Sequence, residues 1–375
     1  MAAIMVGLVL AILEVGARIV GPVAPVLRQA ERGSLLVGHP TRLWTMATGV
    51  NRNAGATATV ATSGIREPAP TGDRSSSERA IVVGDSTFFG HGVGDRDTLS
   101  AQLADRFDEA GIDGDVVNGA MLGYSTEQTR VWMDEVGWDL NPTLLVIGNL
   151  WSDNNWDLFR DKDLIRTAKH YHSNPIAQSH LMRLLAGGID RLRGGRGATL
   201  ITWTQRSEWP NERVRRVDVQ RYAENLDALV REAARREVGV AFIAPVNRDM
   251  LRDKRPGERF SWDIYFSAMR AVASHHGLPV IDASVPTKAV INAARESGTT
   301  QPLKAAFLDK MHPTAATNRA ASQWVFDSLT GAGWPSNRLI GRLDGALRTT
   351  EFETDPWGNQ SSDASEHASP HMRLY

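Results

Sequence analysis

The chain has 375 residues, of which 42 % are hydrophobic and 23 % are charged, and its formal net charge is −1 at pH 7. This is the composition of an ordinary globular protein, and the balanced charge gives no electrostatic reason to expect nucleic acid as a partner. The sequence contains no cysteine, which excludes a cysteine nucleophile, disulfide bonds and thiolate metal sites.

The N-terminal segment is apolar. Residues 2–13 carry no charge, and the apolar character resumes between Glu14 and Val20. This run is shorter than the roughly 20 residues that a membrane-spanning helix needs, so it resembles a signal-peptide core or a truncated anchor. An amphipathic helix packed on the domain is the alternative. We predict a hydrophobic anchor or signal-like helix over residues 1–25, with membrane association and an extracytoplasmic location, anchored or secreted.

The next segment, residues 26–78, shows little helical periodicity. The threonine-rich stretch 57–63 favours β-structure, and residues 68–77, rich in proline and serine, are typical of a linker. We therefore predict a β-prone lead-in and linker, followed by the main domain over residues 79–330.

Within the main domain, short apolar runs alternate with helical patterns, which is typical of a parallel sheet covered by helices on both faces. The predicted strands are residues 80–83, 115–118, 143–147, 199–203, 239–243 and 279–281. The predicted helices are residues 99–110, 126–135, 217–236, 262–276 and 315–329. In the third helix, Tyr222, Leu226 and Val230 recur at helical spacing, so we expect this face to pack on the sheet.

The alternation fails over residues 151–198, an insertion that contains several aromatic residues and histidines. Because it follows the carboxyl end of a strand, it is well placed to act as a lid or as a wall of the substrate site. Residues 331–375 become polar, and we expect part of this tail to be disordered.

The insertion also contains potential metal ligands. These are His170, His172 and His180, with Asp161 or Asp163 nearby. Their spacing matches no metal-binding frame, so we predict a polar surface and no metal site.

A serine follows the first predicted strand. Ser86 stands in the sequence Gly-Asp-Ser, at the edge of the sheet where open α/β folds bind their ligands. Serine is a weak nucleophile until a base takes its proton. Asp309 and His312 are spaced so that the acid can orient the imidazole and the imidazole can activate the serine. Gly-Asp-Ser also forms ordinary turns, but together these residues predict a Ser–His–Asp triad.

Two further segments offer hydrogen-bond donors for an oxyanion. Gly123, after the second strand, can present its backbone N–H without steric obstruction. Polar residues after the third strand would lie beside the serine, and these are Asn149, Ser152, Asp153, Asn154 and Asn155. Next to the nucleophile, we expect Asp85 to orient the loop, and His91 is a candidate for contact with the substrate.

In this order and spacing, the four segments resemble the four blocks of the SGNH (GDSL) hydrolase family over about residues 36–330. The resemblance implies that Ser86 is the nucleophile and the first oxyanion donor, and that Gly123 is the second donor. It implies Asp309 and His312 as the acid and the base. The lead-in and the apolar N-terminus also resemble those of bacterial membrane-anchored members.

The third block departs from the family pattern, which is Gly-x-Asn-Asp with the asparagine as third oxyanion donor. Ser152 stands at the position of that asparagine, and Leu150 at the position of the glycine. The resemblance therefore implies Ser152 as the third donor, with Asn149, Asn154 or Asn155 as alternatives after a shift in register.

The resemblance also has implications for the fold and the function. It implies a three-layer α/β/α sandwich around a flavodoxin-like, five-stranded parallel sheet. It implies a serine esterase that needs neither a metal nor an organic cofactor. From the predicted anchor and extracytoplasmic location, we expect the substrate to be a small-molecule, glycan or lipid ester. An O-acyltransferase acting on cell-surface polysaccharide and a non-catalytic binding module are the alternatives. The oligomeric state stays open.

Overall fold

The structure, a computed structural model, describes most of the lead-in and of the predicted main domain. The described residues are 2–20, 35–61, 63–68, 77–157, 159–173, 179–182, 214–252, 262–345 and 347. The predicted strand 199–203 and the predicted disorder near the C-terminus lie outside these residues, as do parts of the predicted linker and insertion.

The described chain contains the following elements. The strands are β1 (Leu36–His39), β2 (Leu43–Met46), β3 (Gly49–Asn53), β4 (Ala56–Val60), β5 (Glu78–Val83), β6 (Gly114–Asn118), β7 (Leu144–Ile147), β8 (Trp156–Asp157), β9 (Val214–Arg215), β10 (Gly239–Ala244) and β11 (Val280–Asp282). The α-helices are α1 (Ala2–Val20), α2 (Ser86–Phe89), α3 (Leu99–Glu109), α4 (Thr126–Trp132), α5 (Asp161–Ser173), α6 (Val219–Arg235), α7 (Asp263–His276), α8 (Ser284–Glu296), α9 (Pro302–Ala306) and α10 (Ala315–Gly331).

Five strands form one parallel sheet in the order β11–β10–β7–β5–β6. Numbered along the chain within this sheet and read from the β6 edge, the order is 2-1-3-4-5, the flavodoxin-like arrangement. In such sheets the ligand site lies at the carboxyl ends of the strands, where the strand order reverses. Residues 80–83 and 144–147 are fully buried, as expected for parallel strands covered on both faces.

Helices cover the sheet in two groups. α10 packs against α3 and α8, while α6 packs against α7 and α4. α6 buries Tyr222, Leu226 and Val230, as their spacing predicted, and its first turn is capped by the Asp218 carboxylate, which accepts the N–H of Arg221 at 2.9 Å. The predicted three-layer α/β/α fold with a five-stranded parallel sheet is confirmed.

The element bounds follow the prediction closely inside the sheet. Five of the six predicted strands are found, each within two residues of its predicted ends. The helix predicted over 126–135 ends at Trp132, because the backbone continues as a π turn over Met133–Gly137. The helices α2, α5, α8 and α9 were not predicted.

The described part of the lead-in contains two antiparallel hairpins, β1–β2 and β3–β4. The β3–β4 hairpin turns through Ala54 and Gly55, whose φ angles are 47° and 97°. Positive φ at both central residues is the requirement of a two-residue type I′ turn, whose twist matches that of the strands.

α1 exposes apolar side chains along most of its length, from Ile4 to Ile19. Within it, the Glu14 carboxylate accepts hydrogen bonds from Ser179 Oγ at 2.7 Å and from the backbone N–H of Leu181 at 3.0 Å. Among the described residues, no helix has both the length and the apolar character that crossing a membrane requires.

Candidate active site

The predicted nucleophile lies in a sharp turn between β5 and the short helix α2. Gly84 and Asp85 form the turn, and Ser86 is the first residue of α2. The Asp85 carboxylate accepts the backbone N–H of Thr87 at 3.0 Å and so caps this helix. A Cβ at position 84 would lie 2.6 Å from the Phe88 ring, so the turn needs glycine there. This local structure presents Ser86 at the carboxyl edge of the sheet.

A turn over residues 309–312 brings an imidazole to this serine. The backbone N–H groups of Met311 and His312 both donate to Asp309 Oδ1 at 2.9 Å. Asp309 Oδ2 lies 2.6 Å from His312 Nδ1, and His312 Nε2 lies 2.8 Å from Ser86 Oγ. Because a carboxylate can only accept, the ring proton belongs on Nδ1, and Nε2 can accept from the serine hydroxyl. Three predicted residues are thus joined by hydrogen bonds.

The negative charge of Asp309 is stabilised in this arrangement. Partial burial raises the pKa of its carboxyl, but hydrogen bonds from the His312 ring and from the backbone N–H groups of His312 and Met311 outweigh that effect. The pKa of Asp309 therefore lies well below its usual value. An ionised carboxylate at this place can stabilise the imidazolium that forms when His312 takes the proton of Ser86.

Backbone donors suited to an oxyanion occur in the first and second predicted segments. Gly123 has a φ of 72°, a conformation that favours glycine, and its carbonyl accepts a hydrogen bond from Arg216 Nη1 at 2.8 Å. No acceptor among the described residues takes the N–H of Ser86 or of Gly123. Both N–H groups are therefore unengaged.

The third predicted segment is tied to the nucleophile turn by Asp85. The Oδ2 of this carboxylate accepts the backbone N–H groups of Trp151 at 3.1 Å and of Ser152 at 3.4 Å. The Ser152 hydroxyl makes no hydrogen bond to the part of the chain that the structure describes. Asp85 thus orients two loops, the nucleophile turn and the loop after β7. The sequence had indicated only the first of these.

Two of the asparagines considered as alternatives to Ser152 have partners of their own. Asn149 is fully buried, and its Nδ2 donates to Thr129 Oγ1 at 3.0 Å and to the Tyr124 carbonyl at 3.4 Å. The side-chain oxygen of Asn154 accepts a hydrogen bond from Arg215. Both N–H bonds of the Asn149 amide are thus engaged, whereas Ser152 keeps an unengaged hydroxyl.

A buried ion pair lies next to the loop that carries Gly123. Arg216 and Asp161 lie 2.6 Å apart with both side chains almost fully buried, so Asp161, one of the acids considered for a metal site, is held by a cation. His170 is exposed on α5, and the side chain of His172 lies outside the described residues.

Lead-in residues that the sequence did not single out hold the second loop. Trp44 Nε1 donates to the Leu122 carbonyl at 2.9 Å, and Tyr124 Oη donates to the Trp44 carbonyl at 2.7 Å. Gln128 Nε2 donates to the Arg42 carbonyl at 2.8 Å. No local pattern marks these residues, because their partners lie 78 to 86 positions away.

A cavity of about 360 Å³ opens at the same edge of the sheet. It is lined by Ala244 and Asp282, the last residues of β10 and β11, and by Phe266 and Arg270 of α7. Phe266 packs edge-on against Trp151, with ring centroids 6.1 Å apart. The carboxyl ends of the strands therefore carry both the serine and an open volume.

Comparisons with known proteins find similarity only among solved structures. No protein-family model and no curated protein sequence matches the chain. A psychrotrophic esterase from a Pseudoalteromonas species is 14 % identical, with 69 % of this chain and 100 % of that chain covered and a TM-score of 0.40. A GDSL-like lipase from Parabacteroides merdae, named as putative, is 13 % identical, with coverages of 68 % and 96 % and a TM-score of 0.41.

An acetylxylan esterase from Geobacillus stearothermophilus is also similar, at 14 % identity, with coverages of 69 % and 95 % and a TM-score of 0.42. At TM-scores this low the likeness carries no argument about function. The functional assignment therefore depends on the residues of this chain.

Proposed function

We propose that this protein is a serine ester hydrolase of the SGNH type that works through an acyl-enzyme on Ser86. The observation that carries the proposal is the continuous hydrogen-bonded series from Asp309 Oδ2 to His312 Nδ1, at 2.6 Å, and from His312 Nε2 to Ser86 Oγ, at 2.8 Å. A serine, a base within hydrogen-bond reach and an acid that orients the base are the parts that nucleophilic acyl transfer needs.

In the first half-reaction, Ser86 Oγ attacks the ester carbonyl carbon while His312 Nε2 takes the hydroxyl proton. The bond between the carbonyl carbon and the alcohol oxygen then breaks, and His312 returns the proton to the departing alcohol. In the second half-reaction, water attacks the acyl-enzyme and gives a proton to His312. The carboxylic acid leaves, and the proton returns to Ser86.

The oxyanion of each tetrahedral intermediate needs preorganised donors. We assign this role to the N–H groups of Ser86 and Gly123, which are unengaged among the described residues, and to the hydroxyl of Ser152. Ser152 is favoured over Asn149 because the amide of Asn149 is bound to Thr129 and Tyr124.

The test is hydrolysis of p-nitrophenyl acetate and butyrate by the full chain and its variants. S86A and H312A should each lower kcat/KM by at least about 10³-fold, because the triad acts as a unit. S328A, which changes a partly exposed serine on α10, is the matched control and should retain the parent rate. An S86A variant that keeps full activity while H312A is inactive would contradict the proposal.

A further inference from the structure

The loop that follows the nucleophile helix is held by a residue of the lead-in. The guanidinium of Arg66 donates to the carbonyls of Phe89, Gly90 and Val93 at 2.6, 2.7 and 2.6 Å. Its side chain is fully buried, and its Nε is paired with Asp95 at 3.0 Å. Because the guanidinium is a rigid fork of donors, one side chain fixes three successive points of the loop.

Asn53, at the end of β3, also holds this loop. Its Nδ2 donates to the carbonyls of Gly90 and Val93 at 2.9 and 3.1 Å, and its Oδ1 accepts the N–H of Gly92 at 3.2 Å. The residue is 1 % exposed, and both polar atoms of its side chain are used on this loop. The β3–β4 hairpin is therefore bound directly to residues 90–93.

The residue between these clamped positions, His91, contacts the catalytic base. The ring centroids of His91 and His312 lie 4.5 Å apart, with an angle of 54° between the rings. One residue further on, Gly92 lies so close to Leu308 that a Cβ would come within 2.6 Å of Leu308 Cδ1. The clamped loop thus packs against the turn that carries Asp309 and His312.

We propose that His91 is a positioning residue for His312, and that Asn53 and Arg66 hold His91 in place. The inference rests on the proposed esterase function. The His91 ring closes one side of the His312 imidazole and restricts its rotation away from the line between Asp309 and Ser86. The lead-in thereby acts on the catalytic base through two contacts in series.

The charge state of His91 fits this role. Burial, followed by the nearby His312, lowers the pKa of His91 to about 4, so the ring is neutral at and above pH 6. The other charged groups that act on this pair of rings are Asp309, Asp85 and Arg66. As the pH falls to about 4, His91 takes up a proton, which places a positive charge beside the His312 ring.

The test compares H91A, H91F and N53A with N51A as the matched control. Asn51 lies in the same strand, but its Nδ2 donates only within the lead-in, to Ala47 and Gly49. We expect H91A and N53A to lower kcat about tenfold with KM within about twofold, because small displacements of a catalytic group cost rate more than binding. H91F should keep kcat within about threefold, since it restores the packed ring.

Two readouts separate positioning from a general loss of structure. We expect the parent enzyme to lose kcat/KM as His91 takes up a proton near pH 4, and this loss should be absent in H91F. In ¹⁵N-histidine NMR without substrate, the His312 Nδ1–H resonance should broaden in H91A and stay sharp in H91F and N51A. The NMR readout does not depend on esterase activity, so it tests the positioning of His312 independently of the proposed function. A parent-like kcat and resonance in H91A, or equal damage in H91F and H91A, overturns the inference.

Discussion

The Asp85 carboxylate accepts the backbone N–H of Trp151 at 3.1 Å, and this bond joins the nucleophile turn to the loop after β7. The other oxygen of the same carboxylate caps α2 through Thr87 at 3.0 Å. The side chain is fully buried, and burial raises its pKa above the usual value despite these hydrogen bonds. One acceptor thus sets the relative position of Ser86 and Ser152.

Replacing Asp85 by asparagine should separate these two loops. In D85N, one side-chain oxygen is exchanged for an NH₂ group, which must face a backbone N–H that needs an acceptor. We expect kcat to fall by about 10- to 100-fold with a smaller change in KM, because the nucleophile and the oxyanion donors lose their alignment. The measurement is steady-state ester hydrolysis with D134N, an exposed acid, as control; equal kcat in D85N and D134N would count against this role.

The acid of the triad gives a second prediction. D309N should lower kcat on the order of 10³- to 10⁴-fold, because an amide can present its NH₂ to Nδ1 and favour the wrong tautomer of His312. Since the pKa of Asp309 lies below its usual value, the carboxylate is ionised throughout the neutral range, and the loss should not recover between pH 6 and 9.

The control for this substitution is D249N, because Asp249 forms an ion pair with the neighbouring Lys310 at 3.0 Å outside the triad. D249N should keep kcat within about twofold, as expected for an exposed pair. A D309N enzyme no slower than D249N would show that Asp309 does not orient the base.

The third oxyanion donor gives a prediction that separates two residues. S152A should lower kcat by about 10²-fold or more, the usual effect of removing one such donor. N154A should have a smaller effect, because the Asn154 side chain is held toward Arg215, whereas the backbone of Ser152 is tied to the nucleophile turn through Asp85. Both variants are measured for ester hydrolysis at saturating substrate. A greater loss of kcat in N154A than in S152A would transfer the role to Asn154.

Asp153 predicts how stability depends on pH. Burial raises its pKa from the ordinary 3.8 to about 8, against the hydrogen bonds from Thr126. Between these two pH values the folded protein keeps a proton that the unfolded chain has released, so the free energy of unfolding falls as pH rises. The slope from this one group is at most about 1.4 kcal/mol per pH unit.

D153N should remove this contribution to the pH dependence of the free energy of unfolding, since an amide of the same shape has no charge to bury. Urea unfolding between pH 4 and 8 measures it, and D134N serves again as the exposed control. If D153N and the parent protein lose stability with the same slope, Asp153 is not the group responsible.

The sequence was most informative where its signals are local. Short, mostly apolar runs such as 80–83 and 143–147 predicted the strands, because a parallel sheet needs residues that are apolar on both faces. The Asp309–His312 spacing likewise placed an acid and an imidazole in one turn, and the structure joins them to Ser86.

Contacts between distant segments could not be predicted in the same way. Arg66 and Asn53 bind a loop 23 to 40 positions away. The sequence around these two residues indicated only a β-prone lead-in. Ser152 and Asn149 were both candidates for the third oxyanion donor from sequence, since the choice depends on which side chain finds other hydrogen-bond partners after folding. Thr129 and Tyr124 supply those partners for Asn149.

The central claim is that Ser86, activated by His312, is the nucleophile of this protein. The most direct measurement is labelling of the full chain with a fluorophosphonate probe, followed by mass spectrometry of the modified peptide. We predict a single covalent adduct on Ser86 in the parent protein, none in S86A, and much slower labelling in H312A. An adduct on another residue, or labelling of S86A at the parent rate, would contradict the account.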